Sequence, residues 1–292
     1  MKRLLILSLT LLSLSAAAQE RVTVKCSADE IVHLWDNSTA KYSNEITANE
    51  LIKDNFKVYN TSSTELYIFK APKDKATGYS VVIYPGGGYR YLSFPITFPE
   101  WLRENGITAV VVKYRLPNYG HKEAMLEDSA GAVRYLRTRT DLGIDPAKVG
   151  ISGNSAGGHL AAWTSNIMAD EEKPAFAVLH YPAIDRVSPY YIKSKENNTN
   201  ILGADFTLQQ ATDISAQNMV SKTTPPTLIM LCDDDTVVPP TSPVAYYEAL
   251  LRYGVKASIH IFPKGGHSLK KYTPERNTII TDWLNYLGLT NK

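Results

Sequence analysis

Cysteine is nearly absent from this 292-residue sequence, which carries only Cys26 and Cys232. Two thiols cannot build a disulfide framework or a structural zinc site. An excess of charge of either sign is missing too, since 31 Lys and Arg stand against 29 Asp and Glu. That balance leaves no basic footprint for nucleic acid. Beyond the first eighteen residues no apolar run approaches the ~20 residues that a spanning helix needs. There is no internal repeat, no low-complexity tract, no glycine-rich nucleotide loop, no H-E-x-x-H and no C-x-x-C. With 44% hydrophobic and 21% charged residues, collagen, coiled coil and disordered tail are excluded and a large core is allowed.

What is present begins with a leader. Lys2 and Arg3 precede an apolar run over residues 4–14, and Ala16-Ala17-Ala18 closes it. This is the pattern of an export signal cleaved near Ala18. Residues 19–292 are then expected to form a single domain, periplasmic or extracellular, without a membrane anchor. Removing Lys2 and Arg3 from the 31 basic residues leaves 29, equal to the 29 acidic ones. The mature chain is therefore neutral, which suits an uncharged partner. In an oxidising compartment Cys26 and Cys232 could pair. Cys232, however, ends a strand-like apolar run, where a buried free thiol is the expectation.

From about residue 65 onward, short β-branched runs alternate with helical patterns. Residues 79–84, 107–114, 148–152, 175–180, 227–232 and 257–262 read as strands buried on both faces. Residues 95–104, 122–140, 155–169, 243–253 and 274–287 carry apolar positions at helical spacing. Such alternation predicts an α/β fold, a mostly parallel central sheet flanked by helices. Residues 22–70 read as an antiparallel lead-in, with His33 before the sheet and residues 66–69 an edge strand. The polar stretch 187–224 is long for a loop and predicts a small flap between the strands near 180 and 227.

Gly153-Asn154-Ser155-Ala156-Gly157 matches G-x-S-x-G, and its placement gives it weight. A strand runs straight into it and a helix leaves it, so Ser155 would sit on a sharp turn. Its hydroxyl would then lie at a helix N-terminus, where developing negative charge is favoured. The plain alternative is a helix N-cap serine.

A serine nucleophile needs a base, and histidine serves because its pKa lies near neutrality. In catalytic sets of this kind the chain order is Ser, then acid, then His. Only His260 and His267 follow late enough, and only His267, in Gly265-Gly266-His267-Ser268, lies on a loop. His180 and His260 read as strand residues, and His159 as a packing residue one turn past Ser155. The acid should come from Asp233-Asp234-Asp235, which follows a strand. Three adjacent carboxylates could also form a solvated turn or a calcium site. The Asp-x-x-Val-Pro spacing selects Asp235, with Asp234 second and Asp185 a further candidate. Pro85-Gly86-Gly87-Gly88-Tyr89 follows another strand. Its glycines let backbone N–H groups converge on an oxyanion, with the Ala156 N–H as a further donor.

Taken together, V-V-I-Y-P-G-G-G-Y, V-V-V-K-Y-R-L-P, V-G-I-S-G-N-S-A-G-G-H-L-A, D-D-D-T-V-V-P and P-K-G-G-H resemble the α/β-hydrolase fold. The resemblance is to its bacterial carbohydrate-acting esterase and lipase-like members, acetyl xylan esterases and feruloyl esterase-type domains among them. It covers residue 79 to the C-terminus and departs from the common pattern at Pro85, where many such enzymes place His. It implies Ser155 as nucleophile, His267 as base, Asp235 as acid, and Gly87, Gly88 and Ala156 at the oxyanion hole, with no metal and no organic cofactor. It further implies an exported esterase acting on an acylated, chiefly acetylated, plant carbohydrate. Tyr89, Tyr91 and Tyr181, at strand ends, are candidates for sugar stacking, with core packing the alternative. A feruloyl esterase would share the triad and differ in its acyl pocket. A prolyl oligopeptidase-type peptidase would need a further large domain, for which this chain has no room.

Overall fold

The structure, a computed structural model, describes residues 21–188 and 195–288. The expected leader, residues 1–18, and a short piece of the expected flap lie outside the described residues. The strands are β1 (Glu30–Asp36), β2 (Leu51–Lys53), β3 (Lys57–Tyr59), β4 (Ser63–Phe69), β5 (Ser80–Tyr84), β6 (Leu92–Ser93), β7 (Thr108–Lys113), β8 (Val149–Asn154), β9 (Ala177–His180), β10 (Thr227–Cys232) and β11 (Ala257–Phe262). The helices are α1 (Thr97–Glu104), α2 (Lys122–Thr138), α3 (Ala156–Ile167), α4 (Lys195–Leu202), α5 (Leu208–Asp213), α6 (Thr241–Arg252) and α7 (Thr273–Tyr286).

Eight strands form one sheet in the order β1-β4-β7-β5-β8-β9-β10-β11. From β7 to β11 every neighbouring pair is parallel, while β4 runs antiparallel to both β1 and β7. β5, β7, β8, β9 and β10 are almost wholly buried, which is why their sequences are continuous apolar runs rather than alternating ones. The order reverses around β5, which pairs with β7 on one side and β8 on the other. Crevices for ligands open at such a reversal, beyond the carboxyl ends of the strands.

Two expectations for the lead-in fail. Residues 66–69 are not an edge, because β1 pairs with β4 outside it and all seven residues of β4 are buried. His33 does not precede the sheet but lies within β1, opposite Glu65. What makes β4 read as peripheral is its polar start, Ser63-Thr64-Glu65. All three are buried and two have partners: Ser63 Oγ donates to Glu50, and Lys113 Nζ sits 3.0 Å from Glu65 and 2.6 Å from Glu50. A buried charge left unpaired would cost several kcal/mol, so this cluster fixes the lead-in to the sheet. β2, β3 and β6 make a separate small antiparallel sheet. The segment between β9 and β10 contributes α4 and α5, the latter opened by a Thr207–Gln210 capping box. Both thiols are free, Cys232 fully buried and Cys26 partly so.

Candidate active site

β8 enters a turn at Ser155, whose φ of 54° and ψ of −121° lie outside the regions open to most residues. Holding a non-glycine residue there costs on the order of 1–3 kcal/mol, and its surroundings must impose it. They do so by hydrogen bonds: the Ser155 N–H donates to His180 O at 3.0 Å, and Ser155 O accepts from His159 N–H and Ala183 N–H. The flanking glycines are demanded by contact. A Cβ at Gly157 would stand 2.0 Å from Tyr84 O, and one at Gly153 would stand 2.2 Å from Gly157 O. α3 thus starts directly over the end of β5, and Ser155 is pushed out at its head.

His267 reaches this serine from the loop after β11. Its Nε2 lies 2.7 Å from Ser155 Oγ and its Nδ1 lies 2.7 Å from Asp235 Oδ2. The Asp235 side chain is 1% exposed. Its other oxygen accepts the N–H groups of Val237 and Val238 at 2.8 and 2.9 Å. The remaining aspartates point elsewhere. Asp234 Oδ1 accepts the N–H groups of Gly265 and Gly266, each at 2.8 Å, and these bonds hold its pKa below the usual carboxylate value. Asp185 accepts the Val187 N–H. Among the described residues no three His, Cys, Asp or Glu side chains gather as a metal site would need.

Gly87, Gly88, Ser155, Ala156 and His267 line one pocket of about 260 Å³. Gly87 and Gly88 adopt φ of 129° and 64°, and a Cβ on Gly87 would stand 2.0 Å from Tyr91 O. Their carbonyls are turned away, accepting Arg90 N–H and Asn200 Nδ2–H respectively. The Ala156 N–H belongs to the first turn of α3, where backbone donors lack helical partners.

The tyrosines divide. Tyr89 is only 2% exposed, and its hydroxyl meets His159 Nδ1 at 2.7 Å. It is a core residue and offers no face to a sugar, which corrects the expectation of stacking there. Its positive φ of 60° turns the ring inward, a backbone detail with no sequence signature. Tyr181 does line the pocket, with its ring 4.7 Å from that of His267 and edge-on to it. Burial pushes its phenol pKa up. Tyr91 also lines the pocket and packs on Tyr59. His159 is buried between Tyr89 and Ile214 O, and burial drives its pKa well down. His260 bonds Ser258 on β11, away from the site. Several lining residues carried no sequence argument, Asn154, Arg186 and Asn197 among them. Asn154 could have been found as the variable second position of the serine motif, since its Oδ1 accepts the Gly86 N–H and so ties the two loops.

Comparisons with known proteins agree with this architecture. The acetylxylan esterase of Xylanibacter ruminicola is 36% identical over 227 residues, covering 72% of this chain and 46% of that protein. Endo-1,4-beta-xylanase B of Butyrivibrio fibrisolvens is 28% identical over 208 residues, covering 65% of this chain and 32% of that protein. The chain thus spans less than half the length of these two curated relatives. The crystal structure of an acetyl ester-xyloside bifunctional hydrolase from Caldicellulosiruptor lactoaceticus superposes with a TM-score of 0.74 at 27% identity, covering 94% of this chain and all of that one. The sequence profile of the alpha/beta hydrolase fold matches residues 81–270, from β5 to the loop beyond His267, and the chain belongs to that family.

Proposed function

We propose that this chain is an exported serine esterase that removes acyl groups, chiefly acetyl, from plant polysaccharide or its oligosaccharides. The observation that carries the reading is the unbroken chain Ser155–His267–Asp235, with 2.7 Å at both links. Ser155 Oγ attacks the ester carbonyl while His267 Nε2 takes its proton. Asp235, fixed by two backbone N–H groups, keeps the Nδ1 proton on the imidazole and stabilises the cation that forms. The N–H groups of Gly87, Gly88 and Ala156 receive the oxyanion. His267 then gives its proton to the departing sugar oxygen, leaving an acyl-serine. Water, deprotonated by the same imidazole, releases the acid and restores Ser155.

The substrate class rests on the relatives, whose names include an acetylxylan esterase and an acetyl ester-xyloside hydrolase. A pocket of about 260 Å³ suits a short acyl group. Export rests on the leader at residues 1–18, and the mature domain on residues 19–292. The deciding experiment compares wild type with Ser155→Ala on acetylated xylan, p-nitrophenyl acetate and methyl ferulate. Acetate release by wild type alone is expected. Equal activity of the two proteins on every ester would end the reading, and release of ferulate without acetate would move it to a feruloyl esterase.

A further inference from the structure

A second cavity, of about 490 Å³, adjoins the first between α1, α7 and the carboxyl ends of β5, β8 and β9. Ser93, Asn154 and Tyr181 line both, so the two share part of their wall. Phe56, Phe94 and Phe98 give the second cavity an apolar wall.

Much of the rest of the lining is polar, with Ser93, Asn154, Ser268 and Lys270 among it, and two of its groups stand out. Arg276, on α7, places its guanidinium 5.2 Å from the centre of the Phe98 ring. Its Nε and Nη2 donate to the neutral Asn277 Oδ1 at 3.0 and 2.7 Å. Arg276 is half-buried, and no carboxylate among the described residues pairs with it; Arg137 also lacks one, whereas Arg90, Arg103, Arg115, Arg134 and Arg139 each have one. His180, the last residue of β9, is 6% exposed, and its Nε2 has no hydrogen-bond partner. Burial and the nearby Arg276 charge push its pKa down to about 3, so the ring is neutral at working pH.

A purely structural account covers part of this. The Arg276 stem packs against apolar surface and its cation rests on Phe98, as long basic side chains often do. That account leaves the unpaired charge unexplained, and the orphan His180 nitrogen as well. A guanidinium cannot shed its proton, and a buried polar group without a partner costs about 1–3 kcal/mol.

We infer that this cavity is a subsite for a carboxylate carried by the ester substrate. Arg276 pairs with the carboxylate, the Nε2–H tautomer of His180 donates to it, and the phenylalanines cover the adjoining carbon skeleton. The charge could sit on either side of the scissile ester, as a uronosyl substituent of the sugar or as the free end of a dicarboxylic half-ester. That the carboxylate belongs to an ester rests on the proposed function; its binding does not.

The test uses Arg276→Gln and Arg276→Lys beside wild type. Two substrate pairs separate the sources: acetylated xylo-oligosaccharides with and without a uronosyl substituent, and p-nitrophenyl hemisuccinate against p-nitrophenyl acetate. The readout is the ratio of kcat/KM, charged over neutral, within each pair. A charge-assisted bidentate contact predicts that Arg276→Gln lowers that ratio roughly ten- to hundredfold in one pair, with part of it regained in Arg276→Lys. A structural role for Arg276 would scale both members of a pair alike, and that result would overturn the inference. Calorimetry with glucuronate and succinate on Ser155→Ala, with glucose as the neutral control, reads binding without chemistry. Saturable binding of one acid, abolished by adding Arg276→Gln, is expected; no binding of either acid would also overturn it. A wild type inert on p-nitrophenyl acetate would sink the esterase reading instead and leave the calorimetry to stand.

Discussion

Asp235→Asn exposes the logic of the site more sharply than removal of the side chain. The carboxylate of Asp235 accepts three hydrogens: Val237 N–H and Val238 N–H on Oδ1, and the imidazole Nδ1–H on Oδ2. An asparagine of the same shape must turn its carbonyl oxygen toward the two backbone donors. Its NH₂ then faces His267 Nδ1, which can only accept. The imidazole is forced into the Nε2–H tautomer and donates to Ser155 Oγ instead of taking its proton. Productive catalysis requires the amide to flip, which breaks two hydrogen bonds in a buried place at about 1–3 kcal/mol each. At 1.4 kcal/mol per tenfold, that alone predicts a loss of roughly 30- to 10⁴-fold, and losing the anion beside the imidazolium adds to it. The assay is kcat/KM on p-nitrophenyl acetate with the melting temperature measured alongside. A variant within threefold of wild type, melting normally, would refute the assignment of Asp235 and of the tautomer.

Three further outcomes are expected. Asp234→Ala should slacken the His267 loop by freeing the Gly265 and Gly266 N–H groups, lowering kcat less than Asp235→Asn and leaving the melting temperature nearly unchanged; a loss as large as that of Asp235→Asn would reassign the acid. Gly157→Ala puts a Cβ 2.0 Å from Tyr84 O, so it should fail to accumulate as folded protein, and a soluble variant with a normal circular-dichroism melt would contradict the contact. His180 has a folded pKa of about 3 against 6.5 for the free side chain. Below pH 6.5 the unfolded chain therefore gains a proton that the folded one refuses, and stability falls as pH drops toward 3. By pH 4 the cost reaches roughly 3 kcal/mol, so the melting temperature of His180→Gln should depend less steeply on pH between 6.5 and 4 than that of wild type.

The parallel half of the sheet was readable because burial on both faces writes itself into sequence as unbroken runs such as V-V-I-Y and T-A-V-V-V-K. The helices between them carried equally plain spacing. β4 misled because burial of Glu65 depends on Lys113, a partner 48 positions away, and a local pattern shows only a polar strand start. Tyr89 misled for a different reason. It follows the glycine run as a residue facing the site would, yet its φ of 60° and the His159 contact across 70 residues turn it into the core. The second cavity was invisible for the same reason, since Phe98, His180 and Arg276 belong to α1, β9 and α7. Chain order and loop placement, by contrast, do survive in sequence, and they are what singled out Ser155, Asp235 and His267.

The three consecutive aspartates show how far identity of residue falls short of identity of role. All three follow β10, but the chain turns at its end and each carboxylate leaves in a different direction. Asp233 is exposed, its N–H held by Phe262 O at the end of β11. Asp234 is exposed too, yet it reaches back to two glycine N–H groups on the loop that carries His267. Asp235 turns inward, where Val237 and Val238 N–H groups stabilise its charge out of water. The pair Asp234 and Asp235 therefore grips one loop twice, first by its backbone and then by its imidazole. That division answers a mechanical difficulty. Gly265 lets the chain approach Cys232 closely, with no room for a Cβ, and Gly266 takes a φ of 59°, but two glycines would leave a base poorly positioned. Positioning within about half an ångström needs support beyond the reacting groups, and the carboxylate on the backbone supplies it. The middle aspartate is thus no spare candidate for the acid but the reason that a histidine on a glycine loop can stand 2.7 Å from Ser155.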